Sequence, residues 1–495
     1  MGLENLNLKD IFSDNENPSF LKEEDWHDQT GQLELIIPEN DRLIIGAENI
    51  ERRWSENHQH QLTENARAEI LAFPIIAEEV SELLRWASRY NVPVTPRGAG
   101  TNLTGSTVPL YGGLVIDLSR MNHILCLDED TMTLSVEPGV LLEDVQDYVS
   151  QRGYFYPPDP GEKKSTIGGN IATNAGGMRA VRYGVTRDYV RKLQVVFADG
   201  TISELGSSTI KDASGLSLKE SLIGSEGTLG IITRADLKIL NSPEFSRSVL
   251  LAFSDLEQAG KNVLEILSSS LNPTAIEFMN RTVVQLGEQF LNFAYPFETA
   301  GSYLLLTFDG SENVVREQLD LLKDLAEENG AIGLEVLDDP KRAARIWQVR
   351  GALCTAVEAT SMQEPIDIVV PIDKICRFVR FVEDLEKRSQ LQMVSFGHAG
   401  DGNIHLCIVR GQLDEDEWEE KLALVLQTLY DEAYACGGLA SGEHGIGLQK
   451  RKYFLAHSDP SVIALMNGIK NAFDPAHILN KGKSYVIEQE RNIYA

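Results

Sequence analysis

Two histidines, His398 and His405, enclose the hexapeptide Ala-Gly-Asp-Gly-Asn-Ile. Gly400 and Gly402 argue against a helix across it. The flanking runs, 391–396 and 404–409, are apolar and read as strands. The histidines are therefore expected at the two ends of a tight loop. A second glycine-rich stretch, Ser441-Gly-Glu-His-Gly-Ile-Gly447, brings Glu443 and His444. Two imidazoles and a carboxylate make a donor set for a divalent transition ion, zinc or manganese, and three protein ligands leave positions open for a substrate. His398, His405 and Glu443 are the expected ligands, and His444 is the expected general base. A dication beside His444 disfavours its protonation and keeps a lone pair ready. Asp401, inside Asp-Gly-Asn, is expected to shape the turn. His477, in Asp474-Pro-Ala-His, is expected to cap or pack at a helix start.

The elements that must hold these groups divide by composition. Residues 1–65 are acidic and polar and read as an N-terminal extension, with His58 and His60 on a solvated face. Residues 66–242 form a unit rich in glycine loops. Val80, Leu83, Leu84 and Ala87 recur at helical spacing, which predicts a helix over 77–90. Strands are expected at 113–118 and 131–137, and a helix over 141–152. Residues 243–460 alternate differently, with strands at 248–253, 302–308 and 366–370 and helices over 256–269 and 313–329. That pattern predicts an α+β unit with a mostly antiparallel sheet. The acidic run 414–420 reads as a solvated helix start, and residues 461–495 as a helical segment.

The totals restrict function. The length of 495 residues suggests about three domains. A net charge of -29 excludes nucleic acid as a partner and requires any acidic substrate to find its cation inside the site. Five cysteines without a C-x-x-C pair fit reduced thiols in a cytoplasm-like compartment. No apolar run reaches the roughly 18 residues of a membrane-spanning helix, and the start has no signal-peptide pattern. The expectation is a cytoplasmic protein, peripheral to a membrane at most through a partner. A homodimer is left open.

Three glycine regions lie within 66–242: Thr95-Pro-Arg-Gly-Ala-Gly-Thr-Asn-Leu-Thr-Gly105, Ile167-Gly-Gly-Asn-Ile-Ala-Thr-Asn-Ala-Gly-Gly177 and Gly224-Ser-Glu-Gly-Thr-Leu-Gly230. Neither G-x-G-x-x-G nor the P-loop pattern is completed, because Leu103 and Ser106-Thr107 stand where those motifs need other residues. Glycines with Ser, Thr and Asn between them suit a pyrophosphate held by backbone N–H groups outside a Rossmann fold. These stretches resemble the FAD-binding domain of the vanillyl-alcohol oxidase/p-cresol methylhydroxylase flavoproteins. The two histidine loops resemble the branch that oxidises D-2-hydroxy acids, which includes D-lactate dehydrogenase and the flavin subunit of glycolate dehydrogenase.

The resemblance implies an α+β fold: a two-subdomain FAD-binding domain at 66–242, a substrate and metal (cap) domain at 243–460, and a segment, 461–495, that returns to the flavin. It implies FAD contacts from Arg97, Gly98, Ala99, Gly100, Thr101, Asn102, Gly105 and Ser106 at the pyrophosphate. Pro158, Asp159, Thr166, Gly168, Gly169, Asn170, Thr173, Gly177, Tyr183 and Gly184 are implied along the flavin. Glu226, Gly227, Ile231 and Ile232 are implied beside the nucleoside, and Asn480 near the isoalloxazine, with Lys481 where the family usually has proline. Neither His nor Cys occurs at 95–115, so the FAD is expected to be non-covalent, with His123 and Cys126 structural. Arg350 matches the family's carboxylate clamp. Gln363-Glu-Pro365 stands where some relatives carry a lysine, which favours glycolate or D-lactate over a dicarboxylate. The implied reaction is oxidation of the 2-hydroxy acid by hydride transfer to flavin N5. The electron acceptor, a partner redox subunit or a quinone, is not encoded in any motif. A flavin-dependent transferase of the alkyl-ether-lipid synthase type and a non-catalytic flavin subunit of an electron-transfer complex are the competing expectations.

Overall fold

The computed structural model describes residues 26–51 and 67–486, so His58 and His60 lie outside the described residues. The first sheet contains β1 (Leu43–Ile45), β2 (Ile70–Ala72), β3 (Val94–Arg97) and β4 (Leu114–Asp117), in the order β1–β2–β4–β3. β2 and β3 run parallel to β4, and β1 is antiparallel to β2. Helix α1 (Ala77–Tyr90) buries Val80, Leu83, Leu84 and Ala87 against this sheet, the face its spacing predicts. Residues 26–51, expected in an N-terminal extension, instead complete this unit. β1 is its edge strand, and Leu33 and Ile37 join its core. Three apolar residues in polar surroundings leave no period to read, which is why this strand was missed.

The second sheet is antiparallel: β5 (Ile124–Asp128), β6 (Thr133–Val136), β7 (Val190–Val196), β8 (Ile202–Gly206) and β9 (Ile231–Lys238), ordered β5–β6–β9–β7–β8. Helix α2 (Ile167–Thr173) lies beside it, with Thr166 Oγ1 accepting from Gly169 N at its start.

The third sheet has seven antiparallel strands: β10 (Phe245–Phe253), β11 (Ala275–Asn280), β12 (Ser302–Gly310), β13 (Gly333–Val336), β14 (Gln363–Val369), β15 (Gln392–His398) and β16 (Asn403–Val409). Their order is β13–β10–β12–β11–β15–β16–β14. Both faces are covered by helices. One core takes Leu251, Phe278, Leu304, Ile366 and Leu406, and the other takes Leu250, Met279, Leu305, Val394 and Cys407. Alternate residues thus enter different cores, which makes these strands read as continuous apolar runs. Helices α3 (Arg281–Leu291), α4 (Pro340–Gly351) and α5 (Leu353–Glu358) cover the second face but leave one end of it open to the functional groups.

Helix α6 (Pro460–Phe473) then carries the chain back to the first sheet. Val94 N donates to Ile478 O and Asn480 N to Val94 O, both at 2.8 Å. Fully buried Lys470 Nζ donates to Asp474 Oδ2, Thr228 O (2.7 Å) and Leu479 O (2.8 Å). His477, expected at a helix start, sits in the turn after α6 at φ +52°, and Asp474 takes the nearby N–H groups.

Candidate active site

Four neighbouring strands put polar groups on one end of an apolar sheet face. Directly opposed residues of an antiparallel pair project to the same side. Glu277 of β11 is opposite His398 of β15, and in the next row Phe396, His405 and Asp367 line up across β15, β16 and β14. The turn between the histidines packs against the end of β14. A Cβ at Gly402 (φ +84°) would lie 2.1 Å from Val370 O, so only glycine fits. Asp401 Oδ1 accepts from Asn403 N at 3.2 Å, the turn-shaping bond its sequence context predicts.

Asp367, fully buried, organises the second loop. Its carboxylate accepts from the backbone N–H groups of Gly442 (3.2 Å), Glu443 (3.1 Å) and His444 (2.9 Å). Ser441 Oγ and Asn403 Nδ2 each donate to it at 2.7 Å, and Lys450 Nζ at 3.0 Å. Burial alone would raise its pKa, but the Lys450 ammonium and these donors hold it well below the usual carboxylate range. Glu277 plays a matching part across the sheet. It is fully buried and lies 2.8 Å from both His398 Nδ1 and Arg350 Nε. Neither residue was singled out from the sequence. The available signal was a lone carboxylate inside an apolar strand, Ala-Ile-Glu-Phe-Met and Pro-Ile-Asp-Ile-Val, since a buried charge must have partners.

Between these two carboxylates the expected ligands converge. Nitrogen or oxygen atoms of His398, His405 and Glu443 lie within 4.8 Å of one another. Glu443 Oε1 is 3.3 Å from His405 Nε2 and 3.6 Å from His398 Nε2. Atoms about 2.1 Å from a shared tetrahedral ion stand roughly 3.4 Å apart, so the spacing suits an ion. Glu443 Oε2 is buried without a hydrogen-bond partner, a second sign that this donor set fits a cation. Burial would lower the pKa of His398, but Glu277 and Glu443 raise it well above the ordinary range. Burial would likewise raise that of Glu443, and the two histidines hold it well below.

His444 stacks on His405, with rings 5.5 Å apart and tilted 12°. Its Nε2 is 3.7 Å from Glu443 Oε1 and its Nδ1 3.8 Å from Asp367 Oδ2, both beyond hydrogen-bond length. Burial, aided by Lys450 and opposed by Asp367, lowers its pKa to about 4, so the ring is neutral near pH 7. Arg350, expected as the carboxylate clamp, already has a protein carboxylate on one edge. Its Nη2 is 2.6 Å from Glu277 Oε2, and its Cζ is 5.1 Å from the Phe396 ring centre. A guanidinium has five N–H donors, so the opposite edge is left for a ligand.

These groups form one end of a cavity of about 430 Å³. Its wall also includes Arg97, Gly98, Ala99, Gly100, Thr101, Asn102, Ser106, Thr166, Gly168, Gly169, Asn170, Thr173, Glu226, Gly227, Ile231, Ile232 and Asn480, all expected on FAD, together with others such as Leu103, Pro138, Glu162 and Met178. Gly105, Pro158, Asp159, Gly177, Tyr183 and Gly184 stand outside that wall. Asp159 pairs with Lys163 and Arg179, and Tyr183 Oη donates to Asp309 Oδ1 at 2.9 Å, joining the two halves of the chain. Two lining residues spend their charge within the protein. Arg97 pairs with Asp117 at 2.7 Å. Glu226 accepts from Ser106 Oγ (2.7 Å), Ile446 N (3.0 Å) and Gly447 N (2.8 Å), stitching the base-bearing loop to the glycine loops. Asn480 Nδ2 donates to Ser106 O (3.0 Å) and Glu226 O (2.6 Å), and Lys481 Nζ lies over Tyr111. His123 pairs with Glu137 at 2.8 Å and Cys126 is exposed, both away from the cavity wall. With Arg97 paired to Asp117 and the Glu226 carboxylate taken up by protein donors, the glycine loops offer backbone N–H groups, hydroxyls and amides, donors that suit a dinucleotide pyrophosphate.

Residues 68–206 match the FAD binding domain family, and residues 242–484 match the C-terminal domain of FAD linked oxidases. The chain is similar to D-lactate dehydrogenase of Anaerostipes hadrus, at 42% identity over 425 residues, 84% of this chain and 90% of the relative. It is also similar to glycolate oxidase subunit GlcD of Bacillus subtilis (strain 168), at 34% identity over 85% of this chain and 90% of the relative. The fold matches p-cresol methylhydroxylase with substrate bound at a TM-score of 0.79 and 16% identity, over 94% of this chain and 98% of that one.

Proposed function

Because the chain belongs to the FAD-linked oxidases that include D-lactate dehydrogenase and the glycolate oxidase subunit, we propose that it oxidises a small 2-hydroxy acid, D-lactate or glycolate, to the 2-oxo acid. It is an FAD-linked oxidoreductase. The observation that carries the substrate class is the cluster of His398, His405, Glu443 and His444 at one end of the cavity walled by the glycine loops. Non-covalent FAD is held by that wall, with residues 66–242 and the returning 461–495 forming the flavin unit and 243–460 the substrate unit.

When bound, FAD supplies the acceptor for two electrons and the C2 hydrogen, and a divalent ion, zinc or manganese, held by His398, His405 and Glu443 supplies Lewis acidity at the C2 oxygen. Arg350 offers the substrate carboxylate the guanidinium edge that Glu277 does not use. His444 Nε2, turned toward Glu443, accepts the hydroxyl proton as C2 becomes a carbonyl. Asp367 keeps His444 in place by gripping its backbone N–H rather than its ring. Among the described residues, the cavity lining holds no lysine and no arginine besides Arg350 and Arg97, the latter paired with Asp117, which favours a monocarboxylate.

Electrons leave to an acceptor outside the chain, a partner redox subunit or a quinone. No described helix is long and apolar enough to cross a membrane, and a cytoplasmic location is the proposed one. The test is turnover of a panel of D-2-hydroxy acids with an artificial electron acceptor. D-Lactate or glycolate is expected to turn over and D-2-hydroxyglutarate to be a poor substrate. Absence of turnover with every member of the panel would favour the flavin-dependent transferase.

A further inference from the structure

Glu277 is a carboxylate with no exposure, set among Ala275, Ile276, Phe278 and Met279 in the middle of β11. Such a charge is strongly unfavourable without partners. Both of its partners are groups with a part in the proposed reaction. Oε1 and Oε2 lie 2.8 and 3.0 Å from His398 Nδ1, and Oε2 is 2.8 Å from Arg350 Nε and 2.6 Å from Arg350 Nη2. On the other side of the same imidazole, Nε2 faces Glu443 at 3.6 Å. Among the described residues, no other acidic side chain forms an ion pair with Arg350.

We propose that Glu277 is a positioning residue that sets two groups at once. It keeps a proton on His398 Nδ1, so that the Nε2 lone pair is the one turned toward Glu443. It also anchors Arg350 by one edge, so that the opposite edge is presented to the substrate carboxylate. Ion binding and acid binding are therefore coupled through one buried side chain. A carboxylate is needed because both partners donate. An amide has one accepting atom and one donating NH2, so glutamine at this position satisfies His398 or Arg350 but turns a donor on the other. This inference rests on His398 as an ion ligand and Arg350 as the carboxylate anchor.

The test uses FAD-loaded protein stripped of metal by chelation, titrated with cobalt(II) and followed by its visible absorption. Glu277→Gln is expected to bind cobalt(II) roughly 10- to 100-fold more weakly than wild type, the usual effect of losing a carboxylate behind a metal-bound histidine. Its KM for D-lactate at saturating metal is expected to rise. Arg350→Met is expected to raise KM while leaving cobalt(II) affinity near wild type. The double variant is expected to have a KM no higher than Arg350→Met alone. Wild-type cobalt(II) affinity in Glu277→Gln, or KM effects that multiply in the double variant, would overturn the coupling alone. A wild-type protein that takes up no cobalt(II) would overturn the metal reading as well. A second measurement needs no variant: nitrogen-15 spectra of the zinc-loaded wild type are expected to show His398 protonated at Nδ1 and coordinated through Nε2. The opposite tautomer would overturn the proposal even if Glu277→Gln fails to fold.

Discussion

His444 and His398 stand about equally close to Glu443 but have different surroundings. His398 is clamped by Glu277, whereas the His444 ring has no hydrogen-bond partner among the described residues and stacks on His405. His444→Asn is therefore expected to keep its ion and its FAD while flavin reduction slows by roughly 10²- to 10⁴-fold, the usual contribution of a general base. His398→Ala is expected to lose both ion and reduction. Metal content by elemental analysis and stopped-flow absorbance check the pair, and normal flavin reduction in either variant removes that residue from the site. Both residues were legible because they lie in short glycine-rich motifs. Glu277 and Asp367 were not, because their partners lie 121 and 77 positions along the chain. Arg350 was legible as a cation, but its buried partner Glu277 was not, since it lies 73 positions away in sequence.

β14 and the loop 441–447 are held together mainly by one side chain. Asp367 receives three backbone N–H groups from that loop and the Lys450 ammonium besides. Asp367→Asn turns an NH2 toward donors and leaves Lys450 buried without its counter-charge. Removing one partner of a buried pair costs about 3–5 kcal/mol. The variant is expected to unfold at lower denaturant and to take up less metal, because Glu443 shifts with the loop. An unchanged unfolding midpoint would mean that the loop holds its shape by other means. The strands themselves were visible as apolar runs, because both faces of the third sheet are covered. Their order was not, since β11 pairs with β15 more than a hundred residues away and nothing local records that register.

At the scale of the molecule, a net charge of -29 surrounds a site proposed to take an anion. Long-range repulsion slows encounter and is screened by salt. Steady-state kcat/KM for D-lactate is therefore expected to rise as ionic strength goes from about 0.01 to 0.15 M, where the screening length falls from about 30 to 8 Å. A fall would point to a local positive field at the cavity mouth. The two-part architecture was legible from three glycine regions and two histidine loops, yet the contacts that join the parts, Glu226 to Ile446 and Gly447 and Tyr183 to Asp309, were not. Glu226 and Tyr183, read from the sequence as flavin contacts, also act as tethers in the structure. The central claim is that His398, His405 and Glu443 serve an ion on which hydroxy-acid oxidation depends. Anaerobic mixing with D-lactate and with glycolate, before and after chelation, tests it most directly. The flavin is predicted to bleach with at least one acid, to stay oxidised yet bound after chelation, and to bleach again when zinc or manganese is restored. Bleaching that is indifferent to chelation, or a flavin that stays yellow with both acids, would contradict it.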